Sequence, residues 1–201
     1  GHLRQTLEEL SKEPLSEKEI VLLEEAIGQL DQVLTTFAAL LRIAEVESGS
    51  RKAGFGMVDL SATLWELADT YQPIVEENSQ QLDVSLQDNI RLRGDHSLMV
   101  QLFSNLIENA IRHAGKDKRI SISLQRSAEQ IIIRVADNGP GIPRKEYDNI
   151  IKPFYRLDRS RNTPGSGLGT SLVAAIAALH DMELSFEDNQ PGLAIILTKA
   201  L

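Results

Sequence analysis

The chain has 201 residues, of which 42% are hydrophobic and 25% are charged, a composition that supports one substantial core and a small helical appendage. Its formal net charge of -8 disfavours a nucleic-acid-binding surface, because a phosphate backbone repels an acidic protein. The sequence contains no cysteine, which excludes disulfides, thiolate metal sites and a cysteine nucleophile.

The first residues have the character of neither a signal peptide nor a natural start. Gly1-His2-Leu3-Arg4 lacks an initiator methionine and a following apolar region, so we expect a fragment of a longer chain. The most apolar helical stretch, Val33 to Val46, is shorter than the roughly 20 residues that a membrane span needs, and it contains charged residues. The sequence therefore predicts no transmembrane segment, and membrane attachment only through segments upstream of Gly1.

Two amphipathic helices are predicted at the start of the chain. Pro14 blocks helix continuation, and Ser16 with Glu19 forms a capping box that starts the second helix. Both helices carry one apolar stripe with the three-and-four spacing of a coiled-coil seam: Leu3, Leu7 and Leu10 in the first, and Ile20, Leu23, Ile27, Leu30, Leu34, Phe37 and Leu41 in the second. We interpret residues 1–50 as part of an antiparallel helical hairpin.

The apolar stripe of the second helix is longer than that of the first. It is therefore predicted to form a dimer or bundle interface, with a hairpin packed on its own domain as the alternative. This helix is expected to end near Ser48-Gly49-Ser50, where glycine can adopt a left-handed cap. A polar stretch up to Gly56 marks the domain boundary, and a second domain is predicted over residues 57–201.

The second domain has a mixed pattern. Helices are expected at about Asp59 to Gln80, Asp95 to Ala114 and Gly167 to His180. Strands are expected at Leu82 to Leu86, Ile90 to Arg93, Ile120 to Arg126, Ile131 to Ala136, Glu183 to Glu187 and Leu193 to Thr198. An irregular segment covers Asn138 to Ser166. This order predicts an α+β sandwich, in which helices cover one face of a mixed, mainly antiparallel sheet.

One motif in this domain is a pair of asparagines. Asn105 and Asn109 lie one helical turn apart, so their side-chain amides point the same way. Amide oxygens can ligate Mg²⁺ without adding charge beside phosphates. Taken alone, two such asparagines are more often solvated or capping residues.

Two further motifs are rich in glycine. Asp137-Asn138-Gly139-Pro140-Gly141 follows an apolar strand; its carboxylate can accept a hydrogen bond from an amino group, and its glycines let the backbone approach a ligand. Gly165-Ser166-Gly167-Leu168-Gly169 precedes a helix whose N-terminal amides can face phosphate oxygens. Alone, the first is more often a turn, and the second is unspecific.

In combination and in this order, the motifs resemble the N box and the two glycine boxes of the Bergerat-type ATPase superfamily, which covers gyrase, Hsp90, MutL proteins and histidine kinases. Phe154-Tyr155-Arg156 lies where histidine kinases carry their F box, within a flexible lid. The resemblance covers residues 57–201. The preceding helices are similar to the dimerisation and histidine phosphotransfer hairpin of sensor histidine kinases, without the phosphoacceptor segment.

The resemblance implies that these residues bind Mg-ATP. Asn109 would ligate Mg²⁺ with Asn105 in support, and Asp137 would recognise the adenine amino group beside Gly139 and Gly141. Phosphate or lid contacts are implied for Arg112, His113, Phe154, Gly165, Gly167, Leu168 and Gly169.

Several cations are candidates for phosphate contacts. Arg112 stands where the family often has lysine, and a guanidinium can pair bidentately with phosphate. For the lid residues Arg156, Arg159 and Arg161, a triphosphate contact and a solvated loop face are equal alternatives.

One position separates the branches of the superfamily. In its hydrolases a glutamate one turn before the metal-binding asparagine activates water; here that position is Asn105, which cannot act as a base. This favours a kinase over a hydrolase. Glu108 is the alternative base, but it is rotated by about 100° around the helix from Asn109.

The family's phosphoacceptor motif is missing from the chain. His2 lacks the acidic neighbour and the proline that accompany the acceptor histidine in family kinases, so the acceptor is expected upstream of Gly1. His96 and His180 are predicted to be structural, His180 because an imidazole suits a helix C-terminus.

The resemblance implies a cytoplasmic region of an inner-membrane receptor that transfers the γ-phosphoryl of ATP to histidine, for relay to an aspartate of a response regulator. Implied partners are a second copy, through the hairpin, and a response-regulator receiver domain, but no nucleic acid. Alternatives are a pseudokinase-like module that binds nucleotide and dimerises without transfer, and a serine kinase of the anti-sigma type, which lacks the long hairpin.

Overall fold

The computed structural model describes residues 17–47, 54–157 and 167–201. Two compact units divide the chain, Gly1–Leu40 and Leu41–Leu201. Among the described helices, none combines the length and the apolar character needed to cross a bilayer. The predicted first hairpin helix, with Leu3, Leu7 and Leu10, lies outside the described residues.

Helix α1 (Glu17–Glu47) corresponds to the second predicted hairpin helix and ends just before Ser48. Near its C-terminal end Ile43 and Val46 are buried. Four large apolar side chains of its predicted seam are exposed: Leu30, Leu34, Phe37 and Leu41. The dimer or bundle interface stays a prediction.

The second unit contains the remaining elements. In chain order they are β1 (Gly56–Asp59), α2 (Leu60–Glu77), β2 (Gln81–Leu86), β3 (Arg91–Gly94), α3 (His96–Ala114), β4 (Arg119–Arg126), β5 (Gln130–Asp137), a 3₁₀ turn (Arg144–Glu146), α4 (Tyr147–Ile150), α5 (Gly169–Leu179), β6 (Glu183–Asp188) and β7 (Leu193–Ala200). The predicted helices and strands are confirmed with ends shifted by a few residues. Strand β1, the 3₁₀ turn and α4 are not predicted from the sequence.

Five strands form the main sheet in the order β2–β4–β5–β7–β6. Strands β2 and β4 are parallel and the other neighbours are antiparallel, which confirms the predicted mixed, mainly antiparallel sheet. Strands β1 and β3 form a separate antiparallel pair. Alternate residues of β4, such as Ile120 and Ile122, are fully buried, because one face of the sheet is covered by helices. The α+β sandwich is confirmed.

Helix α3 packs against α2, α5 and the central strands β4 and β5. The side-chain Oδ1 of Asp95 accepts a hydrogen bond from Leu98 N–H at 3.1 Å and caps the helix start, as the sequence predicts. The helix buries a continuous apolar face, which includes Leu98, Leu102, Phe103, Leu106 and Ile107. Its remaining face is therefore free to carry polar residues.

The C-terminal end of α3 is held by Gln80, a buried residue on the loop after α2. Its Nε2 donates hydrogen bonds to the carbonyls of Ile111 and Gly115, both at 2.9 Å. Carbonyls at a helix end need such donors because they have no partner within the helix. Gln80 therefore fixes the last turn of α3.

We predict that Gln80→Met lowers the free energy of unfolding by about 1–3 kcal/mol, because two carbonyls at a buried site lose their donor. Urea denaturation would measure the change. Gln72→Met is the matched control, since the Gln72 amide bonds the exposed side chain of Glu76. An equal loss of stability in the two variants would contradict this role of Gln80.

Candidate functional site

The asparagine pair of α3 faces the start of α5. A Cβ added at Gly169 would lie 3.0 Å from Asn105 Oδ1 and 3.8 Å from both side-chain polar atoms of Asn109. Asn105 Nδ2 donates to the carbonyl of Gln101 at 2.8 Å, which orients its amide. Both asparagines are half-buried. The structure thus brings Asn105, Asn109 and Gly169 together, while their roles stay predictions.

Asp137 ends strand β5 beside the last turn of α3, and its side chain is only 7% exposed. Its Oδ1 accepts a hydrogen bond from Gly139 N–H at 2.8 Å. A Cβ at Gly139 would lie 2.6 Å from Ala114 Cα, closer than real Cβ contacts allow. Glycine therefore lets this loop lie directly on α3, which holds the carboxylate in place.

The turn between β6 and β7 contacts the backbone of Asp137. Asn189 Nδ2 donates to the carbonyl of Asp137 at 2.8 Å. A Cβ at Gly192, whose φ is +117°, would lie 1.8 Å from that carbonyl oxygen. Gly141 adopts φ +62°, and a Cβ there would lie 2.6 Å from Gly192 O. Sequence reasoning missed Asn189 and Gly192, for which the only signal was a turn-forming Asn-Gln-Pro-Gly stretch.

Phe154, within the predicted lid, is bonded to Gly167, which follows it. Phe154 N–H donates to Gly167 O at 3.0 Å. Phe154 has φ +65°, an uncommon conformation for a large side chain, and is 54% exposed. Gly167 has φ +72°, and a Cβ there would lie 3.1 Å from Arg156 Cγ. Gly165, like the lid cations Arg159 and Arg161, lies outside the described residues.

The first part of the lid is more ordered than the predicted irregular segment. Glu146 accepts hydrogen bonds from the hydroxyl of Tyr155 and from Asn149 Nδ2. These bonds, the one from Tyr155 foremost, hold the pKa of Glu146 below its usual range. The ionised form is favoured in the fold, so the cluster is intact at neutral pH and is lost in acid that protonates Glu146. Tyr147 packs against Phe186 with ring centroids 5.6 Å apart.

Leu168 is the N-cap residue of α5 and is buried. Its side chain is 2% exposed, and its carbonyl accepts hydrogen bonds from Ser171 Oγ and Leu172 N–H, both at 2.9 Å. The side chain therefore belongs to the core, and only its backbone can take the predicted ligand contact. Arg112 and His113 lie exposed on the last turn of α3. Arg112 shares the helix face of Asn109, three residues earlier.

Glu108, the alternative base, is bound to α2. Its Oε1 accepts a hydrogen bond from the hydroxyl of Tyr71 at 2.7 Å. Burial and this bond to Glu108 raise the pKa of Tyr71. Glu108 is thereby held by Tyr71, whereas Asn105 and Asn109 face α5, and this disfavours it as a base at the asparagine site.

We predict that Gly139→Ala destabilises the fold by about 1–3 kcal/mol, the usual cost of forcing atoms into a packed site. The matched control is Gly56→Ala in β1, where an added Cβ meets nothing within 4 Å. Urea denaturation of both variants would test the difference. A Gly139→Ala protein as stable as Gly56→Ala would show that the loop does not need its close contact with Ala114.

Residues 94–199 match the family described as histidine kinase-, DNA gyrase B-, and HSP90-like ATPase. The chain is 32% identical over 193 residues to the phosphate regulon sensor protein PhoR of Haemophilus influenzae, which covers 94% of this chain and 44% of the relative. It is 30% identical over 166 residues to the sensor-like histidine kinase SenX3 of Mycobacterium tuberculosis, covering 82% of this chain and 40% of the relative. The chain thus spans less than half the length of these curated relatives.

Solved structures share the fold. The nucleotide-free catalytic domain of histidine kinase ThkA has a TM-score of 0.66 at 22% identity, over 73% of this chain and 97% of that chain. The histidine kinase AdeS of Acinetobacter baumannii has a TM-score of 0.74 at 18% identity, over 99% of this chain and 92% of that chain. These likenesses establish the architecture of a histidine kinase catalytic domain.

Proposed function

Because the chain belongs to the family of histidine kinase-, DNA gyrase B- and HSP90-like ATPases, we propose that it is the ATP-binding catalytic region of a sensor histidine kinase. The relatives named above are sensor proteins and sensor-like kinases, which disfavours the pseudokinase alternative. The chain is shorter than these relatives, so the activity proposed is that of a larger protein.

The contact of Gly169 with the asparagine pair is the observation that carries the proposal. It sets the N-terminal amides of α5 beside Asn105 and Asn109, with the Asp137 loop seated on the end of the same helix α3. Helix N-terminal amides suit phosphate oxygens, and a buried carboxylate suits an amino group. A nucleotide with its base at Asp137 and its phosphates between α3 and α5 would contact the amides of α5, the asparagine pair and the carboxylate.

Mg²⁺ fits the same place. Asn109 offers a half-buried amide oxygen beside the proposed phosphate site, the donor type that Mg²⁺ uses together with phosphate oxygens and water. Within the described residues, no cluster of three or more His, Asp or Glu side chains could hold a metal. Asn109 would therefore hold the ion jointly with the nucleotide. The charge of Mg²⁺ would offset the charge of the phosphates.

The residues near the proposed phosphate site support transfer of the γ-phosphoryl group to a protein rather than hydrolysis of ATP. Asn105 cannot accept a proton from water, and Glu108 is held by Tyr71. In the proposed reaction a neutral histidine nitrogen attacks the γ-phosphorus, a P–N bond forms, and the bond to the β–γ bridging oxygen breaks to release ADP. His180 is buried with both ring nitrogens in hydrogen bonds, so it cannot be that acceptor.

Two partners are proposed. The exposed apolar stripe of α1, with Leu30, Leu34, Phe37 and Leu41, is suited to a second copy of the hairpin. A structurally similar kinase, ThkA, has been solved in complex with the response regulator protein TrrA, and we propose a receiver domain as the second partner. Anchoring in the inner membrane would come from segments upstream of Gly1.

We predict that Asp137→Asn weakens ATP binding by about 10- to 100-fold, the equivalent of a charged hydrogen bond, and removes the preference for ATP over GTP. The asparagine can keep the bond from Gly139 N–H, so the fold should survive. Calorimetry with both nucleotides would measure the effect, with the exposed Asp69→Asn as control. Unchanged ATP affinity in Asp137→Asn would remove Asp137 from the adenine role.

We predict that this chain alone neither phosphorylates itself nor hydrolyses ATP appreciably, because its sequence lacks the acceptor motif of the family and positioning of the nucleophile supplies most of the acceleration. With γ-labelled ATP, label should appear only after a hairpin that contains the acceptor histidine is added. Asn109→Ala should abolish it, whereas the exposed Asn78→Ala should not. Acid-labile label on His2, or turnover that vanishes in Glu108→Gln, would contradict this prediction.

A further inference from the structure

Helix α5 connects the proposed phosphate site with a distant part of the domain. Its first residue, Gly169, lies against Asn105 and Asn109, and its C-cap is His180. Eleven helical residues span about 16 Å, so His180 lies far from the phosphates. Because a helix is a rigid element, a displacement of α5 at His180 also displaces its first residues beside the asparagines.

His180 ties α5 to the start of α3. Its side chain is 2% exposed, and its Nε2 accepts a hydrogen bond from Asp95 N–H at 3.0 Å. The proton must then be on Nδ1, which donates to the carbonyl of Ile176 at 2.8 Å. A neutral imidazole in one tautomer therefore links the last turn of α5 to the residue that caps α3.

The two helices thus meet at both ends of α5. One contact is between His180 and Asp95, and the other is between Gly169 and Asn105. The first is tight, because a Cβ at Gly94 would lie 2.7 Å from His180 Cδ2. Packing this close leaves the imidazole little room to move unless α5 shifts against α3.

Phe55 covers the imidazole ring. The two rings are stacked, with centroids 4.6 Å apart and planes 8° from parallel. Phe55 is half-buried and directly precedes strand β1. The residue that precedes β1 therefore covers the ring at the C-terminal end of α5.

We propose that Phe55 and His180 form a joint that sets the position of α5, and with it the nucleotide affinity. The proposal rests on the proposed nucleotide site. His180 is a positioning residue, since it acts through α5 and does not touch the ligand. Lifting Phe55 from the ring frees the imidazole, loosens its bond to Asp95 and moves the amides at the start of α5 away from Asn109.

The first test measures Mg-ADP binding by calorimetry in the full 201-residue chain. Phe55→Ala is expected to weaken binding at least about fivefold, the lower end of coupling between sites. Phe55→Tyr, which keeps the flat ring, should restore wild-type affinity. Trp65→Ala is the matched control, because Trp65 is another partly exposed aromatic of the same domain, on α2.

The outcomes separate the joint from the proposed function. Wild-type affinity in a folded Phe55→Ala protein overturns the joint alone. Absence of Mg-ADP binding in the unaltered chain overturns the proposed function and the joint with it. Failure of Phe55→Tyr to restore affinity also overturns the joint, because the stacked ring would then not be what matters.

The second test needs no substitution. In protein with ¹⁵N-labelled histidine and tryptophan, saturation with Mg-ADP should shift the imidazole signals of His180, although the proposed nucleotide site is at the opposite end of α5. The indole signal of Trp65 should not move. A purely structural histidine would give unchanged signals, and that result would overturn the joint even if a Phe55 variant failed to fold.

Discussion

The close approach of glycine backbone to helix α3 is the constraint on which the site depends. At Gly139 a side chain would collide with the backbone of Ala114, and at Gly169 it would press on the amide of Asn105. Gly139 therefore lets its loop, and Gly169 the start of α5, lie against α3 with no side chain between them. The carboxylate of Asp137 and the first amides of α5 are positioned by these contacts rather than by the loops themselves.

Helix α3 can carry the site because its other face is committed to the core. Leu98, Leu102 and Leu106 are buried at helical spacing, and the ends of the helix are fixed by Asp95 and by Gln80. A helix held in this way has no freedom to turn the asparagines out of the site. Preorganisation of this kind lowers the ordering cost of binding a ligand.

Features that depend on neighbours in sequence were predictable, whereas long-range partners were not. Asp95 caps α3 through a bond to Leu98, three residues away, and the motif glycines were recognisable from their order. The bond from Tyr71 to Glu108 spans 37 residues, and that from Asn189 to the Asp137 carbonyl spans 52. No local pattern encodes such pairs. Strand β1 was missed because it has four residues and is defined mainly by pairing with β3.

On the proposed function, Asn105 at the position of a base fits a domain that is supplied with its acceptor histidine from outside the nucleotide site. A glutamate at that position would let water compete for the γ-phosphoryl whenever nucleotide is bound. The amide of Asn105 instead bonds the carbonyl of Gln101 and leaves water unactivated. On the proposed function, the site then holds ATP without consuming it until a histidine is brought into line, so that the rate is governed by the approach of the hairpin. On the proposed function, control of phosphoryl transfer would then rest with delivery of the acceptor histidine rather than with the chemistry of the nucleotide site.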